Sequence, residues 1–135
     1  PLTPMTNGLL AIYYDKPYEK ATEHVDSKLY KAFKSEGIKG LKKTYKQMVN
    51  DGNTPRERSL NYLGYELMQM KELDAAITVF ELNNQSYPES ANTYDSLGEA
   101  YLAVGDKQKA LASYKNALNL NPDSESAKQA IEKLQ

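Results

Sequence analysis

From residue 57 onward the apolar positions fall at helical spacing, and that spacing itself recurs. Leu60, Leu63 and Leu67 stand three and four residues apart, which puts them on one helix face. Ala76 and Phe80 form a second stripe after the polar break at Lys71-Glu72. Shifted by 34 residues, the pattern returns: Leu60 falls on Tyr94, Leu63 on Leu97, Gly64 on Gly98 and Leu67 on Tyr101. Ala76 then falls on Ala110, Phe80 on Tyr114 and Pro88 on Pro122. A period of this length marks stacked supersecondary units. Each unit is expected to be two antiparallel helices: a small residue (Gly64, Gly98) lets them approach, a ring (Phe80, Tyr114) fills the gap, and a proline ends the second helix. Gly105-Asp106 makes the turn inside the second unit.

The pattern aromatic-x2-Leu-Gly-x2-Tyr, then Ala-x3-aromatic, then Pro resembles the tetratricopeptide repeat. Residues 91–124 carry it almost fully, as Tyr94, Leu97, Gly98, Tyr101, Ala110, Tyr114, Ala117 and Pro122. Residues 57–90 depart twice, with Leu60 in place of the aromatic and Asn83 where alanine is usual. Residues 125–135 are expected to form a capping helix with Ser124 or Asp123 at its start and Ala127, Ile131 and Leu134 on its inner face. Upstream, Val25, Leu29 and Phe33 form one stripe, and Ile38, Leu41, Tyr45 and Met48 another, with Gly37 breaking the helix between them. Residues 22–56 thus read as a degenerate first hairpin. Residues 1–21 read as the remnant of a preceding domain plus a linker, with Thr6 or Asn7 capping a short helix through Tyr13. The fold expected is all-α: two clear repeats, one degenerate repeat and a capping helix. The start at Pro1 reads as a cut from a longer protein or a processing site.

Composition narrows the chemistry. The 135 residues carry a formal net charge of −1 and no cysteine, so disulfides and thiolate metal sites are excluded. No apolar run reaches the roughly 18 residues of a membrane helix, and membrane insertion is not expected. Charge is unevenly placed. Residues 16–50 hold nine lysines against four acids, whereas residues 51–135 hold thirteen acids against eight basic residues. Such asymmetry can mark an anionic partner, but a solvated amphipathic face explains Lys39, Lys42, Lys43 and Lys46. No nucleic-acid motif is present, and no nucleic-acid partner is expected. The lone His24 lacks the companions of a triad or a metal site and reads as a surface histidine.

Leu63-Gly64-Tyr65-Glu66-Leu67 and the run Asn92 to Tyr101 also resemble the C-terminal repeat segment of bacterial serine hydrolases related to beta-lactamases and penicillin-binding proteins. Residues 9–19 are similar to the last helix of that catalytic domain and its following turn, with Asp15 where glycine is usual. The resemblance implies an accessory domain on an exported, envelope-located hydrolase. It transfers no catalytic residue. No serine here has lysine three residues on, as that family's Ser-x-x-Lys requires, and Tyr114-Lys115-Asn116 belongs to the repeat packing. No catalytic site, cofactor or metal is expected.

In tetratricopeptide arrays the first helix of each repeat lines the concave surface. That numbering places Arg58, Asn61, Tyr62, Tyr65, Met68 and Gln69 on a candidate groove, followed by Asn92, Asp95, Ser96 and Glu99, with Leu102 and Ala103 behind. Tyrosine, arginine and methionine suit a binding surface, but these tyrosines could equally pack on the preceding hairpin. One arginine and two acids do not make the lysine- and asparagine-rich clamp that holds a peptide's terminal carboxylate. The expected role is a non-catalytic interaction module, either a hydrolase's accessory domain or a free-standing adaptor for an extended peptide or helix. A third possibility is self-association through residues 1–15.

Overall fold

A computed structural model describes residues 27–135, which hold six helices and, among them, no strand: α1 (Ser27–Asn50), α2 (Glu57–Gln69), α3 (Leu73–Ser86), α4 (Ala91–Ala103), α5 (Lys107–Leu120) and α6 (Glu125–Leu134). The expected helix over residues 7–13, the stripe residue Val25 and His24 lie outside the described residues. Contacts divide the chain into two compact units at Pro55–Arg56.

In the first unit, α1 is two helical segments joined at one residue. Gly37 has φ 73° and ψ −159°, outside the helical region and open only to glycine. No separate loop intervenes, so the break expected at this glycine is a single-residue corner. The segments fold back so closely that a Cβ on Gly40 would stand 2.7 Å from the Ala32 carbonyl oxygen. Leu29, Leu41 and Tyr45 are buried.

The second unit contains the two repeats and the capping helix. Consecutive helices from α2 to α6 pack on one another, and α2 also touches α4. Leu60, Leu63, Gly64 and Leu67 are the buried face of α2, and Ala75, Ala76, Val79 and Phe80 face it from α3. The Phe80 ring lies against Gly64 so tightly that a Cβ there would overlap it. The second repeat does the same: a Cβ on Gly98 would sit 2.6 Å from Cζ of Tyr114. Ala110, Tyr114, Ala117 and Ala127 form the last core cluster, flanked by Tyr94, Tyr101, Ile131 and Leu134. Asn83, which replaces the usual alanine, is fully buried; its Nδ2 donates to the Glu57 carbonyl at 3.0 Å, tying α3 to the start of α2.

Both hairpins turn through the same device. After α4, the Gly105 N–H donates to the Leu102 carbonyl and the Asp106 N–H to the Tyr101 carbonyl. After α2, Lys71 and Glu72 repeat this with Met68 and Leu67. This Schellman arrangement puts one residue in the left-handed region. Gly105 takes it at φ 84°, whereas Lys71, 34 residues earlier, is forced to φ 64°. The start of the next helix differs as well. The Asp106 carboxylate accepts from the Lys109 N–H at 3.1 Å, while Glu72 provides no side-chain cap to α3. Ser124, rather than Asp123, caps α6, accepting from the Ala127 N–H at 3.2 Å.

Two stability predictions follow from these turns and contacts. Lys71→Gly removes a left-handed non-glycine residue and should stabilise the repeat unit by about 1 kcal/mol, raising its melting temperature by several degrees; an unchanged or lower value would refute the strain. Gly64→Ala should gain about 1 kcal/mol of helix propensity and lose more to overlap with Phe80. Its expected net effect is a loss of roughly 1–2 kcal/mol of stability, read as a lower denaturation midpoint, and a midpoint above wild type would mean the ring can retreat.

Candidate functional site

Because α2 touches α4, their outward faces lie side by side, and hydrogen bonds between them fix the register. Ser96 Oγ donates to Asn61 Oδ1 at 2.6 Å and accepts from the Tyr65 hydroxyl at 3.2 Å. The Tyr65 ring meets Phe80 edge-on at 5.1 Å between centroids, so the side chain is held from below as well as from the side. At the start of the same helices, Asn92 Nδ2 donates to the Glu57 carboxylate at 3.4 Å.

The candidate residues therefore divide. Arg58, Gln69, Asn92 and Glu99 are exposed. Asn61, Tyr62, Tyr65, Met68 and Asp95 are half-buried. Ser96 is only 1% exposed, which corrects its expected place on the open surface. Its small hydroxyl is a joint between helices, because at this position the helix faces its predecessor. Leu102 and Ala103 are exposed.

The sequence reading missed the third helix of this face. Ser126 Oγ donates to Asp95 Oδ2 at 3.4 Å, which brings α6 alongside α4. Adding 34 to Asn92 gives Ser126, and to Glu99 gives Lys133. The same period that revealed the repeats would have extended the face across the capping helix. Both of these residues are exposed.

Electrostatics centre on α4. The other Asp95 carboxylate oxygen is shut from solvent with no hydrogen-bond partner, and burial raises the acid above its ordinary pKa against the opposing Ser126 contact. Burial also pushes the Tyr65 phenol up to about 12, aided by the Glu99 and Asp95 carboxylates and opposed by Ser96. Tyr114, behind the same helix, is raised to about 12 by burial and then by Glu99 and Asp95. Tyr101 reaches about 12 through burial and the nearby Glu81, to which its hydroxyl donates at 3.3 Å. The arrangement can donate and accept hydrogen bonds over a firm polar floor. Among the described residues, no group of three His, Cys, Asp or Glu side chains is placed to hold a metal ion.

Comparison with known proteins agrees with the helical geometry. The family model for the tetratricopeptide repeat matches residues 91–124, the second hairpin. Protein CTR9 homolog of Arabidopsis thaliana is 33% identical over 72 residues, which is 52% of this chain and 7% of that protein. The chain thus spans a small fraction of the length of that relative. With the six helices, the match establishes an all-α fold of tetratricopeptide type, a non-catalytic repeat that serves protein–protein interaction.

The raised phenols give a pH prediction. A folded-state value near 12 against an ordinary 10 means that the folded chain holds these protons more tightly than the unfolded chain. The stability this supplies is complete below about pH 10 and is lost as pH rises toward about 12. A phenolate absorbance titration should show Tyr65, Tyr101 and Tyr114 ionising late, together with loss of helical circular dichroism. Ionisation of all eleven tyrosines near pH 10 with helices intact would contradict the burial.

Proposed function

We propose that this chain recognises a protein segment through the shared face of α2, α4 and α6. The observation that carries this reading is the Tyr65–Ser96–Asn61 joint. It holds the half-buried tyrosine and amide in fixed positions between exposed Arg58, Gln69, Asn92 and Glu99. Side chains already held in place before binding, as Tyr65 and Asn61 are, lose little conformational entropy on binding. An aromatic, an arginine and several amides suit a polar, extended segment. The finer reading is that the module is the accessory domain of an exported serine hydrolase, with the catalytic domain or another envelope protein as its partner. Leu63 to Leu67 and Asn92 to Tyr101 support it through their resemblance to that segment.

Two measurements test the two levels. A photo-crosslinking residue placed at Glu99, on the proposed face, should join a discrete partner in cells that make the protein; one at Lys115, exposed on α5, should not. Equal products from both positions would remove the face from the account. Separately, lysate labelled with a fluorescent penicillin would be blotted with antibody to this chain. A labelled band far above 15.2 kDa supports the hydrolase parent. A large unlabelled band points to another parent, and a band near the mass of this chain favours a free-standing adaptor.

A further inference from the structure

The strongest charged feature belongs to α1, in the first unit. α1 carries seven lysines and one acid, Glu36, over 24 residues, and all seven lysines are exposed. The one ion pair among the described residues is Lys128–Glu125, so none of the seven is neutralised by a described carboxylate. In the segment after Gly37, Lys39, Lys42, Lys43 and Lys46 fall within an arc of about 100° at helical spacing. Leu41 and Tyr45, both buried, occupy the opposite side. Val49 is 39% exposed and borders the lysine arc one turn beyond Lys46.

We infer that this lysine face docks on an anionic lipid surface. Four ammonium groups on one side of a helical segment can all reach a single plane at once, as a charged bilayer requires. Lysine is a compact, hydrated charge suited to a diffuse array of phosphates, and the face has no arginine fork for paired recognition. The face also lacks an exposed aromatic for stacking on bases, since Tyr45 is buried on the other side. That argues against nucleic acid. The exposed Val49 adds an apolar side chain where the headgroups meet the acyl chains. Attachment would be peripheral, because no described helix is long and apolar enough to cross a membrane. Each lysine near such a surface strengthens partitioning by roughly fivefold, so the four together give several-hundred-fold.

The test uses the 135-residue chain and two vesicle preparations, phosphatidylcholine alone and equal parts phosphatidylcholine and phosphatidylglycerol. Sedimentation with the anionic vesicles alone is expected, with release at about 1 M salt, where the screening length is about 3 Å. The triple variant Lys39→Glu, Lys42→Glu, Lys46→Glu should lose at least roughly 100-fold of that binding. The triple variant Lys107→Glu, Lys109→Glu, Lys115→Glu changes net charge equally on α5 and should lose far less. Circular dichroism checks that both are folded. Independently, Val49→Trp introduces the sole tryptophan, whose emission should shift to the blue on anionic vesicles. Absent sedimentation, equal losses from both triple variants, or an unmoved tryptophan emission would overturn the inference. Tighter binding to duplex DNA or polyglutamate than to the vesicles in the same buffer would overturn it too.

Discussion

A ring seated on a glycine sets the spacing of each repeat. Phe80 over Gly64 and Tyr114 over Gly98 bring paired helices closer than any side chain at those positions would permit. Glycine inside a helix costs about 1 kcal/mol in propensity. The burial of a whole phenyl or phenol ring offsets that cost. Small residues recur around these rings: Ala110 and Ala117 share a core cluster with Tyr114, and Ala75 and Ala76 are buried on the helix that carries Phe80.

That close approach also shapes the outer face. Phe80, held against Gly64, meets the edge of Tyr65, and Tyr65 in turn reaches Ser96 on the next repeat. The core contact is thereby linked through two side chains to the position of Asn61. Ser96 belongs to this linkage rather than to the surface. The second repeat hands the role to Asp95 and Ser126, where a carboxylate replaces the amide and burial keeps its pKa raised. The two repeats share a backbone plan and differ in what they present: Tyr65 stands on the first where Glu99 stands on the second.

The turns show how much local chemistry the packing tolerates. Glycine is at ease in the left-handed position after α4, whereas Lys71 occupies the equivalent place after α2 with the same two hydrogen bonds. The helices on either side are clamped by their rings, so the turn must close whatever residue it contains. The same tolerance appears at Asn83, whose amide found a backbone carbonyl in a site usually filled by a methyl group.

Legibility follows the range of the interactions. Helix spans, the 34-residue period, the small residues and the rings all stem from short-range periodicity, so the sequence alone determined an all-α repeat fold, and the residue match over 91–124 agrees with it. Gly37 was legible as a break for the same reason, since only glycine reaches its backbone angles. Which candidate side chains remain at the surface was not legible. The repeat numbering places Ser96 and Glu99 on the same face, yet one is buried between helices and the other is exposed. That distinction depends on the angle at which α4 crosses its neighbours, which only the tertiary structure decides. The inclusion of α6 in the face and the raised phenols belong to the same class, because the first rests on a hydrogen bond between residues 31 apart and the second chiefly on burial between packed helices.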